Sequence, residues 1–186
     1  MRAASAASWN GVQALSVAFV AVLTAAASQV SFPLPFTPVP FTLQPLVVLV
    51  GAAALGSRLG AVAQILYLMA GLAGLPVFAF SPELPQGLLR LLGPTGGFLM
   101  AYPLAAFATG WLAERGLDRR YATSMLAMAA GLSLIFAGGV LWIANTTGVS
   151  VALATGFYPF IVVDIITVVA AGVVLPGAWA VLRKNE

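Results

Sequence analysis

From Ala3 to Ser57 the chain carries no charged side chain, and further charge-free runs follow from Leu59 to Pro82, Leu91 to Ala113, Tyr121 to Val163 and Ile165 to Leu182. Such runs argue against a soluble fold. A surface that faces water needs charges spread along the chain, about a quarter of all residues in an ordinary soluble domain. Here 7% are charged and 61% are hydrophobic. A helix crossing a bilayer needs about 20 largely apolar residues, so the gaps between charges hold several crossings. The expectation is an all-α integral membrane protein. No polar linker or low-complexity stretch divides it, so residues 1–186 read as a single transmembrane domain.

Six spans are expected. The first runs from about Trp9 to Val30, too long for the apolar core of a signal peptide and without a convincing cleavage site, so it reads as a retained span. A proline-punctuated loop, Ser31 to Pro40, should be stiff and extended. The second span covers about Thr42 to Leu55, with Pro45 tolerable in its first turn. Gly56 to Gly60 breaks it, and the third reaches about Ala70. After a loop from Gly71 to Pro94, the fourth covers about Thr95 to Ala113 and the fifth about Ala122 to Ala144. Asn145 to Ser150 reads as a turn, and the sixth runs from about Pro159 to Leu182.

Charge sets the orientation. With the N-terminus inside, the cytoplasmic segments hold Arg2, Arg58, Arg115, Arg119, Arg120, Arg183 and Lys184, and the outer side holds Arg90 alone. Basic residues favour the cytoplasmic side, so both termini are expected inside, in the cytoplasmic membrane. The prolines are skewed outward, all but Pro103 and Pro176, which suggests stiff loops over a preformed outward-facing site.

Chemistry is scarce in this composition. The chain has no Cys and no His, which removes thiolate and imidazole metal sites and the usual general base. Asp164 has no acidic neighbour in sequence for paired-carboxylate chemistry. An enzyme is therefore not expected, nor a cofactor. Asp164 would sit in the second turn of the sixth span, where an acid should face the bundle or a wet cavity. It reads as a structural ion pair, a ligand contact or a proton-coupling group. Arg90 reads either as a solvated loop residue or as a fork of donors for a carboxylate. Gly93-Pro94-Thr95-Gly96-Gly97 lacks the Lys of a phosphate loop. It is expected to be a tight turn with Thr95 as N-cap, its glycines admitting a backbone or a ligand and the helix start favouring an anion. Ala14, Ala18, Ala21, Ala25 and Ser28 share one face of the first span, for packing within the bundle or for docking another membrane protein. Two classes stand at this point, a solute-binding transport component and a structural or assembly protein, and the acid and the outer Arg favour the first.

Three stretches carry a family resemblance: Pro38-Val39-Pro40-Phe41-Thr42-Leu43-Gln44, Tyr67-Leu68-Met69-Ala70-Gly71-Leu72-Ala73-Gly74-Leu75-Pro76-Val77-Phe78-Ala79, and Gly93-Pro94-Thr95-Gly96-Gly97-Phe98-Leu99. In order and at natural spacing, they resemble the biotin transporter family BioY, substrate-binding S components of energy-coupling factor (ECF) transporters. The resemblance implies six helices, biotin bound near the outer side, and work with a membrane coupling protein and two cytoplasmic ATPase subunits, which some members are proposed to do without. It also implies that Ala14, Ala18, Ala21 and Ala25 form the face that docks the coupling protein. The chain departs from the family at Thr167, where a Lys often follows the Asp, and at Ser81-Pro82-Glu83-Leu84-Pro85, where a glycine-rich stretch is common.

Biotin suits the residues. Asp164 is expected to accept from a ureido N–H, with Gln44, Thr42 or Ser81 serving the rest of the polar ring. Phe78, Phe80 and Tyr158 are expected as apolar walls, and Arg90 with the glycine turn and Thr95 as the carboxylate site. The opposite ligand orientation, and another vitamin such as thiamine or a flavin, stay open.

Overall fold

The computed structural model describes residues 11–81 and 85–184, with side chains as far as Val181. Trp9, Arg2 and Glu83, and the side chains of Arg183 and Lys184, lie outside the described residues.

The chain is helical almost throughout. Helix α1 (Gly11–Gln29) leads into a short antiparallel hairpin of β1 (Ser31–Phe32) and β2 (Phe41–Thr42), in which Ser31 pairs with Thr42. The hairpin loop holds four prolines, and Phe32 stacks on Phe41 at its base, ring centroids 6.3 Å apart. Helix α2 (Gln44–Leu55) starts with Pro45 in its first turn, where a missing N–H costs no hydrogen bond. It ends at Gly56, whose φ of 84° is in the left-handed region. Helix α3 (Ser57–Leu72) begins at the next residue. One glycine, rather than the expected stretch from Gly56 to Gly60, is enough to turn the chain.

Beyond α3 residues 73–81 form an irregular segment, and a five-residue helix, α4 (Leu88–Leu92), lies inside the region expected to be loop. Then come α5 (Gly96–Glu114), a 3₁₀ turn at Leu117–Arg119, and α6 (Tyr121–Thr147). The polar run from Asn145 does not form the expected turn. The hydroxyls of Thr146 and Thr147 donate back to the Ile143 carbonyl, both at 3.0 Å, so their polarity is absorbed within the helix. Gly148 (φ 87°) ends α6, and an unexpected helix α7 (Val149–Gly156) follows. A 3₁₀ turn at Tyr158–Phe160 precedes α8 (Ile161–Lys184). Asp164 is thus in the first turn of its helix, not the second.

The bundle has two distinct ends. At one, the Glu114 carboxylate, from the last turn of α5, accepts the Ser57 backbone N–H at 2.7 Å and the Ser57 hydroxyl at 2.9 Å. An acid from another helix therefore satisfies the N-terminus of α3. Gly110 makes the approach possible, since a Cβ there would stand 2.5 Å from the backbone of Gly56 and Ser57. Trp179 Nε1 donates to Asp118 at 2.7 Å, tying α8 to the α5–α6 connection. Arg58, Arg115, Arg119 and Arg120 belong to this end. The other end carries the hairpin, the irregular segment, α4 and the start of α5.

Between the ends, α5 and α6 meet backbone to backbone. A Cβ on Gly97 would lie 2.4 Å from the Gly138 carbonyl oxygen, and Trp142 Nε1 donates to the Gly93 carbonyl at 3.0 Å. The core of Val48, Leu49, Ala52, Tyr67, Ala105, Ala106 and Met128 is sealed from solvent. Among the described residues, four helical segments are long and apolar enough to cross a membrane: Gly11–Gln29, Gly96–Glu114, Tyr121–Thr147, and Val149–Val181, which takes in α7 and α8. At 1.5 Å per residue, α2 and α3 reach only about 18 and 24 Å, short of a hydrocarbon core of about 30 Å.

Candidate functional site

Arg90 stands at the centre of α4. Its position two residues into a five-residue helix, under the loops, leaves it 1% exposed. Nη2 donates to the Ala79 carbonyl, while Nη1 is buried with no partner. Burial lowers the pKa of the guanidinium from its usual value, and Tyr67 acts in the opposite sense. No carboxylate among the described residues neutralises it, so Arg90 is a buried cation with an open donor. That is a costly arrangement unless something else supplies the anion.

Asp164, half-buried in the first turn of α8, is its counterpart. Its Oδ2 is buried and also unpartnered. Arg90 and Asp164 line the same cavity without pairing with each other. The hairpin and the start of α2 contribute Val39, Pro40, Phe41, Thr42, Gln44 and Pro45. Ala79 comes from the irregular segment, and α5 supplies Thr95, Phe98, Leu99 and Tyr102. Leu132, Ile135 and Phe136 of α6 and Phe160 before α8 close the apolar side.

Polar anchors hold this lining in place. Gln44 Nε2 donates to the Tyr67 hydroxyl at 2.6 Å, and the Thr42 hydroxyl lies 3.4 Å from Gln44 Oε1. Tyr67 in turn packs edge-on to Phe78, 5.6 Å between centroids. Thr95 stands at the N-terminus of α5 but makes no cap bond, and its hydroxyl is buried without a partner at the cavity edge. A second, larger apolar groove runs between α6, α7 and α8, and Leu132, Phe136 and Asp164 wall both spaces.

Of the residues picked from the sequence, Thr42, Gln44, Arg90, Thr95 and Asp164 come together on the cavity. Others do not. Phe78 is fully buried beneath it, its ring filling the space that Gly71 leaves without a side chain. Phe80 and Tyr158 point outward, 67% and 60% exposed, and Ser81 is half-buried away from the lining. Gly93, Gly96 and Gly97 pack against backbone and neighbouring helices and are not part of the cavity lining. Gly96 sits against the Leu91 carbonyl, Gly97 against α6, and Gly93 accepts from Trp142. Along α1, Ala14 is exposed, Ala18 and Ala25 are half-buried and Ala21 is buried, so that face rolls from the surface into the bundle. The apolar lining missed from sequence, Phe98, Tyr102, Leu132 and Phe136 among it, lies within helices that are apolar on every side. Only the aromatic spacing of Phe98 and Tyr102 one turn apart hinted at a shared face.

The arrangement suits a ligand with an apolar body, an anionic group for Arg90 and N–H donors for Asp164. Comparison with known proteins agrees in kind. The profile of the BioY family matches residues 3–184. A probable biotin transporter BioY of Pyrococcus horikoshii is 38% identical over 159 residues, covering 85% of this chain and 90% of that protein. The biotin transporter BioY of Thermotoga maritima is 38% identical over 143 residues, covering 76% and 81%. The crystal structure of an S-component for biotin from an ECF-type ABC transporter superposes with a TM-score of 0.78 at 22% identity, covering 94% of this chain and 92% of that one.

Proposed function

The chain belongs to the BioY family, and on that premise we propose that it binds biotin and takes it up across the cytoplasmic (inner) membrane as the S component of an ECF-type transporter. The observation that carries the reading is the pair of unmet valences on one cavity, Arg90 Nη1 and Asp164 Oδ2. Biotin answers both. Its carboxylate takes the open guanidinium donor, its ureido N–H takes the Asp164 oxygen, and its fused rings lie against Phe98, Leu132 and Phe136.

We place α1, α2, α3, α5, α6 and α8 as six crossings of a single transmembrane domain, with both termini in the cytoplasm. The arginines at the Glu114 end support that orientation, and it puts the cavity on the outer side. The loops flanking α2 and α3 make up the length those helices lack. A membrane coupling protein and two cytoplasmic ATPase subunits are the proposed partners, with Ala14 and Ala18, the more accessible of the alanines, at the docking face. The test is titration calorimetry of the detergent-extracted chain with biotin, thiamine and riboflavin. Binding of biotin alone is expected. Saturable binding of another vitamin in its place would reassign the substrate, and binding of none would return the protein to the structural class.

A further inference from the structure

We propose that Ser28 and Gln29, the last two residues of α1, are positioning residues for the anion-holding arm of the site; the proposal rests on the biotin reading above. The starting observation is the irregular segment from Pro76 to Phe80. It has no helix or strand to pair with, yet Phe78 is sealed off and Ala79 is 5% exposed. Carbonyls outside helix and strand take their donors from side chains or water, and here side chains supply them in succession. Gln29 Nε2 lies 3.4 Å from the Pro76 carbonyl and 3.3 Å from the Phe78 carbonyl. Ser28 Oγ donates to Val77 at 2.6 Å, Ser31 Oγ donates to Phe80 at 3.1 Å, and Gln86 Nε2 reaches Phe78 at 3.3 Å. Arg90 takes the Ala79 carbonyl.

The direction of the Ser28 bond can be argued. Its hydroxyl has one proton and two acceptors in reach, the carbonyls of Ala25 and Val77, both at 2.6 Å. The Ala25 carbonyl sits inside α1 and has a helical donor, whereas the Val77 carbonyl has no other donor among the described residues. The proton therefore belongs to Val77, and Gln29 Nε2 donates to the Ser28 oxygen at 2.7 Å, completing a relay from Gln29 through Ser28 to the segment.

The consequence falls on Arg90. With the carbonyls on either side of Ala79 pinned from α1 and β1, the Ala79 carbonyl is fixed, and it fixes Nη2. A guanidinium is planar, so seating one nitrogen sets the line along which Nη1 meets the cavity. A binding group keeps its geometry only when the shell behind it is locked, and α1 provides that lock without touching the ligand.

The test uses the full chain in detergent, with Ser28→Ala and Gln29→Met; the second keeps the length of the side chain, removes both N–H donors and adds no charge. Calorimetry gives Kd for biotin and for its uncharged primary amide, and hydrogen exchange reports residues 76–80. Each variant is expected to weaken biotin about tenfold, and the amide by less than about threefold, because the tail charge is what a displaced Arg90 fails to hold. Exchange should rise in residues 76–80 and not in α2 or α5. Equal weakening of both ligands, or exchange rising across the bundle, would reduce the pair to a general structural role and overturn the proposal. Unchanged affinities in both variants would overturn it alone, while a wild-type chain that ignores biotin would defeat the biotin reading beneath it. Should Ser28→Ala not fold, Gln29→Met at the exposed end of the helix carries the test.

Discussion

Replacing Arg90 by Ala removes the one buried cation that lines the cavity among the described residues. Truncating one partner of a buried, hydrogen-bonded charge pair costs about 2–5 kcal/mol, and about 1.4 kcal/mol is a tenfold change in affinity. The expected loss for biotin is thus roughly thirtyfold at the least and about four thousandfold at the upper end. Two features of the structure set where in that range it falls. Arg90 is 1% exposed, so water cannot replace the lost donor cheaply. The Ala79 carbonyl also loses its partner, which loosens the wall itself. A control isolates the charge: biotin amide, with no anion to lose, should fall much less, so the preference for biotin over its amide should nearly vanish. Arg90→Lys keeps a charge but loses the fork that reaches Ala79 and the ligand together, and should sit between. Titration calorimetry in detergent, with a thermal melt to confirm folding, reads all three. Arg90→Ala binding biotin within about threefold of wild type would refute the reasoning, because a solvated rim charge is worth no more than that.

Asp164→Asn preserves shape and removes the carboxylate; it should weaken biotin and its amide alike by about tenfold or more, since both keep the ureido ring, and amide-selective loss would invert the ligand. Gly97→Val should prevent folding or lower the melting temperature sharply, because the new side chain meets the Gly138 carbonyl and Trp142; a normal melt would deny the close crossing of α5 and α6. Cysteines placed at Phe36 and Gln86 should react with an impermeant maleimide on whole cells, and one at Asp118 only after lysis; reaction at 118 on intact cells would reverse the orientation. The chain has no native Cys to confuse the result.

Charge spacing made the long helices legible, because a charge-free run bounds a length directly, and α1, α5, α6 and α8 fall where the gaps lie. Short elements gave no such signal. The five residues of α4 sit between Gly87 and Gly93 in a proline-rich stretch, and α7 follows a polar run whose threonines bond back within α6. Arg90 and Asp164 stood out for the same reason as the spans: a charge is conspicuous where charges are rare, and the two share one cavity. The apolar walls were not readable. Amphipathicity marks an inside only when the other face is polar, and on α5 and α6 both faces are apolar. Guessing walls by nearness in sequence to a loop selected Phe80 and Tyr158, which face outward, and Phe78, which is buried beneath the site. Thr95 was placed correctly at a helix start, but its hydroxyl is not spent on a cap.

The roof and the floor of the cavity differ in stiffness. The floor rests on α5 and α6, which touch through Gly97 and Gly138 with no side chain between them, so neither can slide without collision. The roof is the proline-rich hairpin; among the described residues one side-chain bond joins it to α7, from Thr37 to the Thr155 carbonyl at 2.5 Å, while Val39 packs it into the core. That bond contributes about 1 kcal/mol and burial of the Val39 side chain about 1.5–3 kcal/mol more, so the roof is held mainly by apolar packing. The softer wall of the cavity is thus the one hung from a two-strand base, and the harder one is the helix crossing beneath it.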